Sequence, residues 1–110
     1  MKMLRYCMVI GIFLCISAKA ETMIAEVSKV GCHRDSNVCF AYLRIERDIQ
    51  TNCPKNDKSV RWDGTNDPNS TFIMSVLLSS QARGKRVTFG GAGESCYANF
   101  PSFRWVHSND

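Results

Sequence analysis

A mainly β domain with a single helix, in the order three strands, one helix, two strands, is the fold class this 110-residue sequence predicts. Three observations carry that reading. A capped helical stretch beginning at Pro68 runs straight into a strand ending at Phe89. Short segments of alternating polarity lie on both sides of that unit. An even set of cysteines remains once an export-type leader is set aside.

The central unit has the strongest pattern. Asn69 or Ser70 fits the N-cap, because a short side-chain oxygen accepts from the free amides of the first turn. Phe72, Ile73, Val76 and Leu77 recur at helical spacing as the core face, with Met74 and Leu78 widening the stripe. Arg83 falls in the last turn, where a cation suits the helix dipole, and Gly84 suits the left-handed position just beyond. Lys85 to Phe89 then changes to period two, with Val87 and Phe89 on one face.

Ahead of the helix, Met23 to Val30 reads as the first strand, with Ala25 and Val27 on one face. Val30-Gly31 breaks the alternation and marks a bulge or the strand end. In the second strand, Val38 to Ile45, both faces are apolar, as in a strand covered on two sides or curling through a barrel. Glu46 to Ser59 is a polar loop, and Val60-Arg61-Trp62 is a short third strand ended by Asp63-Gly64. After the helix–strand unit, Gly90-Gly91-Ala92-Gly93 reads as a flexible turn. A fifth strand then sets Phe103, Trp105 and His107 on one face and Arg104 and Val106 on the other. The order β-β-β-α-β-β is that of an OB-fold, a five-stranded Greek-key barrel with its helix between strands three and four. An open α+β sheet with one helix packed on it is the competing arrangement.

The first twenty residues read as a secretion signal. Lys2 and Arg5 form a positive start, Cys7 to Ile16 an apolar run, and Ser17-Ala18-Lys19-Ala20 the small residues before a cut. The run is too short to span a membrane. Leu14 before Cys15 argues against lipoprotein processing, which wants a small residue there. Cleavage after Ala20 leaves residues 21–110 as a single secreted or periplasmic domain. It also removes Lys2, Arg5 and Lys19, so eleven of the fourteen basic residues remain against ten acidic ones. The longest basic run left is Lys85-Arg86, which argues against a nucleic-acid partner.

Cys7 and Cys15 leave with the signal, and Cys32, Cys39, Cys53 and Cys96 stay. Four cysteines in a small exported chain imply two disulfides with three possible connectivities. Cys32 and Cys39 flank the polar stretch His33 to Asn37 and suit the base of a hairpin loop. Cys53 and Cys96 then tie the segment before the third strand to the loop after the fourth. Zinc is disfavoured, since no two cysteines lie two residues apart and only His33 and His107 are available to assist. No cofactor or metal is expected.

Catalytic patterns are weak. The sequence holds no Gly-x-Ser-x-Gly elbow, and the cysteines pair off as disulfides. Glu46 and Asp48 read as solvated loop carboxylates, and the glycine run follows a strand without opening a helix, unlike a phosphate loop. Asn69-Ser70-Thr71 matches a glycosylation sequon but reads first as the helix cap. The aromatic residues of the later half are the better candidates. Trp62, Tyr97 and Phe100, with Arg61 and Arg104 beside the two tryptophans, suit stacking on a sugar ring or anchoring a protein. Against that, Trp62, Phe103 and Trp105 are the large residues available to fill a small core. Tyr97 and Phe100, in a loop, are the ones expected at the surface.

The run Met74-x-x-Leu77-Leu78-x-x-Gln81-Ala82-x-Gly84-Lys85-x-Val87, followed by Gly93-Glu94-Ser95-Cys96, resembles a pattern of small exported bacterial proteins of unassigned function. It is also similar to the binding (B) subunits of subtilase-cytotoxin-like toxins, which are OB-folds that form pentameric rings and bind cell-surface glycans. The resemblance implies a cysteine before the helix paired with Cys96, a position Cys53 fills. It implies a non-catalytic module for a glycan or partner protein, with a homo-oligomeric ring made plausible by an exposed Met74 and Leu78. It carries no glycan-binding residue onto this chain. The alternative is a monomeric envelope protein that binds or inhibits another protein. N-terminal sequencing of the exported protein is expected to begin at Glu21; a chain still starting at Met1 overturns the signal reading.

Overall fold

A computed structural model describes residues 22–109, so the segment read as a secretion signal lies outside the described residues. The chain forms β1 (Thr22–Cys32), β2 (Val38–Arg44) and β3 (Ser59–Asp63), then helix α1 (Ser70–Arg83). After the helix come β4 (Arg86–Gly90), the short β5 (Cys96–Tyr97) and β6 (Phe100–Pro101), and β7 (Trp105–Ser108). Five strands make one antiparallel sheet in the order β3-β2-β1-β4-β7, and β5 and β6 pair as a separate hairpin.

β1 is long because it serves two neighbours. Its first half, Thr22 to Glu26, pairs with β4, and its second half, Glu26 to Cys32, pairs with β2. The register shifts between Val27 and Lys29, which places the irregularity at Ser28 and not at Val30-Gly31 as the sequence suggests. Ser28 is released from the regular ladder to other partners: its hydroxyl donates to Tyr42 O (3.2 Å), and its carbonyl accepts from Gln81 Nε2 of α1 (2.8 Å).

The sheet is open, which corrects the expected closed barrel. Closure requires β7 to hydrogen-bond to β3, and among the described residues that pairing is not made. The chain between β4 and β7 is spent on the β5–β6 hairpin, which packs against β3. From the same segment Ser102 Oγ donates to Arg61 O at 2.6 Å. Phe103 enters the seam edge-on to Trp62 (5.8 Å) and Phe89 (5.1 Å). The expected architecture, mainly β with one helix in the order β-β-β-α-β-β, is otherwise what forms, with the small hairpin added.

The core lies between α1 and the inner sheet face, where Val60, Trp62, Val87 and Phe89 meet Ile73 and Leu77. Ile49, from the polar loop, and Ala92, from the glycine turn, join it. The helix corrects the expected stripe. Its buried residues are Ser70, Ile73, Leu77 and Ser80, a narrow face at helical spacing, while Phe72 is 62% exposed and Leu78 45%. Met74, expected at the surface, packs partly against the core. Asn69 takes the N-cap position without a side-chain cap bond. Asp67 fastens the helix start instead: its Oδ1 accepts from Asn69 N (2.9 Å) and its carbonyl from Ser70 N (3.0 Å). Gly84 ends the helix in the left-handed conformation (φ 67°), as its position predicts.

β7 also differs from its reading. Phe103 precedes the strand and packs on the core, Val106 turns inward, and Trp105 and His107 face outward. Trp105 therefore lies outside the core, 46% exposed, directly opposite Gly90. Its indole stands where a side chain at residue 90 would be: a Cβ there would fall 1.8 Å from Trp105 Cε2. The two disulfides form as expected, Cys32–Cys39 across paired positions of β1 and β2 and Cys53–Cys96 at the start of β5. Replacing buried Leu77 with alanine is expected to cost about 2–5 kcal/mol in chemical denaturation. Phe72→Ala is expected to change stability by less than about 0.5 kcal/mol. Equal losses would restore the wide core stripe.

Candidate functional site

The open seam leaves a cleft of about 470 Å³ between the end of β3, the start of α1, the β5–β6 hairpin and the start of β7. Each wall has a local cause. Asp63, the last residue of β3, turns the chain by accepting at Oδ1 from Thr65 N (3.0 Å) and Asn66 N (2.8 Å). Asn66 Nδ2 also donates to its Oδ2 (3.3 Å). On the opposite wall, Tyr97 ends β5 with its side chain beside the Asp63 carboxylate. Asp67 and Phe72 supply the helix side, and Arg104 and Trp105 the β7 side.

The electrostatics follow from these contacts. The backbone amide of Asn66 is the largest of several hydrogen bonds holding Asp63 below the usual carboxylate value of 3.8. Tyr97 is pushed above its ordinary 10.0, first by desolvation and then by the adjacent Asp63 charge. Arg104 extends over the rim and pairs with Glu94 at 3.7 Å. Trp105 stacks on His107, with ring centroids 5.4 Å apart and planes within 5°.

The sequence-derived candidates separate into two groups. Tyr97, Trp62 and Arg104 line the cleft, but Trp62 does so from the core, 3% exposed, with its Nε1 donating to Ser70 Oγ (3.3 Å). Arg61 and Phe100 lie apart, on the outer side of β3. Arg61 is only 6% exposed, and its guanidinium stacks on Phe100 at 3.8 Å from the ring centre. Its head donates to Ser59 Oγ (2.9 Å) and Tyr42 Oη (3.3 Å) and pairs with Asp57 (3.2 Å). That arrangement is a buried anchor and leaves no free face for a ligand. Asp63, Asp67 and Phe72 are cleft residues that the sequence reading missed. Asp63-Gly64 was legible only as a turn, and Phe72 was assigned to the core stripe.

Three further hollows lie elsewhere. One of about 510 Å³ lies beside Thr51, Asn52 and Glu94 without an aromatic wall, one of about 400 Å³ beside Met23, Ile45 and Ile49, and one of about 290 Å³ beside Ser80 and Gln81. Among the described residues no group of three or more His, Cys, Asp or Glu side chains is placed to hold a metal ion, and no helix is long and apolar enough to cross a membrane. No protein-family model, no curated protein and no solved structure matches the chain.

The two shifted groups act on stability at opposite ends of the pH scale. Asp63, lowered, contributes above about pH 3.8 and loses that contribution as the pH falls through its folded value. Tyr97, raised, contributes below about pH 10.0 and loses it as the pH rises through its folded value. With Tyr42→Phe in the mature chain, the phenolate absorbance of Tyr97 is expected to appear above pH 10.0. Asp63→Asn should move it down. A midpoint at the ordinary value in both proteins would disprove the contact.

Proposed function

We propose that this chain is an exported, non-catalytic binding module that holds its ligand in the cleft between β3 and β7. The observation that carries the reading is the lining: exposed Phe72 and Trp105, half-buried Tyr97 and two carboxylates meet around one hollow of small-molecule size. Rings offer large contact area at little conformational cost, and the charged rim orients what they hold. Two disulfides on a domain this small support an oxidising, secreted or periplasmic setting. Ser102 is the hydroxyl nucleophile type lining the cleft, and its Oγ already donates to Arg61 O. No histidine lines the cleft beside it, which supports binding over turnover.

The resemblance to toxin binding subunits makes glycans one ligand class, and a partner protein is the other. The test is binding of oxidised 21–110 to a glycan array and to envelope proteins, run beside Trp105→Ala and Tyr97→Ala. Both variants are expected to lose binding at least about tenfold, with Leu78→Ala unchanged as the outer control. Binding indifferent to Trp105 and Tyr97, or turnover of the captured ligand, sinks the reading.

Assembly into a ring is favoured by one specific observation: Leu78 and Ile24 are large apolar side chains left at the surface. Met74, which packs inward, contributes less to such a contact than the sequence suggests. Light scattering is expected to give a discrete oligomer that Leu78→Lys converts to monomer. A monomer from the unaltered chain selects the envelope-protein alternative.

A further inference from the structure

We propose that the cleft recognises an organic cation, a small molecule bearing a quaternary or otherwise poorly hydrated ammonium group. This rests on the cleft being the binding site, and it names the chemistry that the site selects.

Charge is the first argument. Asp63 and Asp67 both line the cleft, and Arg104 is the basic residue among its described lining. Arg104 is already matched by Glu94 at 3.7 Å, so the hollow keeps an excess of negative charge. The positive end of α1 opposes this on the same rim. Asp67 answers it locally through the Asn69 amide, leaving Asp63 and the rings to face the hollow.

The hydrogen-bond count at Asp63 is the second and more selective argument. A carboxylate offers about four acceptor positions. Thr65 N and Asn66 N donate to its Oδ1 and Asn66 Nδ2 to its Oδ2, so three of them are taken, and the Tyr97 side chain stands alongside. A sugar hydroxyl or a primary amine entering the cleft therefore finds at most about one vacant acceptor on Asp63. An ammonium centre without N–H groups needs none: it responds to the carboxylate's field while its methyl groups pack against carbon.

The rings supply that packing. Phe72 and Trp105 are 62% and 46% exposed, and Tyr97 is half-buried beside them. Aromatic faces carry negative quadrupole density, and a cation held within about 6 Å of a ring centre is attracted to it. A volume of about 470 Å³ accommodates a choline-sized ligand with room for a substituent.

The experiment compares choline and tetramethylammonium with 3,3-dimethylbutan-1-ol, the uncharged counterpart of choline in shape, by calorimetry and tryptophan fluorescence on oxidised 21–110. Choline is expected to bind about tenfold more tightly than the alcohol. Trp105→Ala and Phe72→Ala should each weaken choline binding about fivefold or more with the thermal transition retained. Asp63→Asn should weaken choline and leave the alcohol unchanged. Equal affinity for choline and the alcohol overturns the proposal, because the cleft is then merely apolar. Neutral saccharides that bind through Trp105 while choline does not also overturn it, yet leave the binding-module reading intact. No response to any cation, alcohol or saccharide overturns the proposal, and the binding-module reading falls with it only if the envelope proteins also fail to bind.

Discussion

Arg61 carries a full charge into a position only 6% exposed, on the outer side of an edge strand. Taking a guanidinium out of water costs several kcal/mol unless charge and hydrogen bonds are returned to it. Here they come from three directions. Asp57 and Ser59 reach it from the loop entering β3, Tyr42 from β2, and Phe100 from β6 through a stack at 3.8 Å. Satisfying this one side chain therefore requires the β5–β6 hairpin to lie over the outer residues of β3. Once it lies there, Tyr97 falls beside Asp63 and Ser102 takes the Arg61 carbonyl. β7 then has no route to the β3 edge. The open seam is a consequence of where a buried charge finds its partners.

Covalent and backbone terms hold the same hairpin from its other end. Cys53–Cys96 fixes its first residue across a separation of 43 residues, and Lys55 N donates to Asn99 O at 2.9 Å. Closing so long a loop removes much of the unfolded chain's freedom, by roughly 4 kcal/mol in the loop-entropy model. The tip turns through Ala98 (φ 55°) and Asn99 (φ 75°), both left-handed. Asparagine tolerates that region and alanine tolerates it poorly, so Ala98 sits there because the surrounding contacts over-determine it. A strained tip fastened at both feet gives a defined wall to the cleft, where a free loop of the same length would give none.

How far the sequence reveals this differs from element to element. The helix end is legible because Gly84 has one conformational reason to follow Arg83, and the structure gives it φ 67°. Strand β4 is legible because Val87 and Phe89, two residues apart, both enter the core, although Thr88 between them is buried as well. The disulfide pairing is legible because the spacing of Cys32 and Cys39 fits a hairpin base. Phe72 is not legible: at helical spacing it sits next to the stripe of Ile73 and Leu77, and only the sheet's position decides which edge of that stripe is covered. The β5–β6 hairpin escapes because its strands are two residues long and its turn is Ala-Asn without glycine. Asp63 looks like a turn residue and is one. Its place in the cleft depends on Tyr97, 34 residues later, and no local pattern encodes that. The closed barrel fails for the same reason, since strand order along the chain says nothing about whether the last edge meets the third.

Both lips of the cleft are set before any ligand arrives. On one side the β5–β6 pairing of Tyr97 with Phe100 sets the backbone that carries the Tyr97 ring, with the Asp63 carboxylate beside it. On the other, Trp105 lies in the space left by Gly90 and stacks on His107, so its indole is held both in the sheet and along the strand. A side chain at residue 90 would displace the indole and remove one wall without touching the other. Ordering rotamer-rich side chains on binding costs about 0.5–1.5 kcal/mol each, and two rings already held in place avoid that cost. Arg104 is the contrasting case. It is exposed, long and paired only at the surface with Glu94. In the proposed binding role, the two held rings set the shape of what enters, and the exposed rim charge acts on the rate at which a charged ligand approaches.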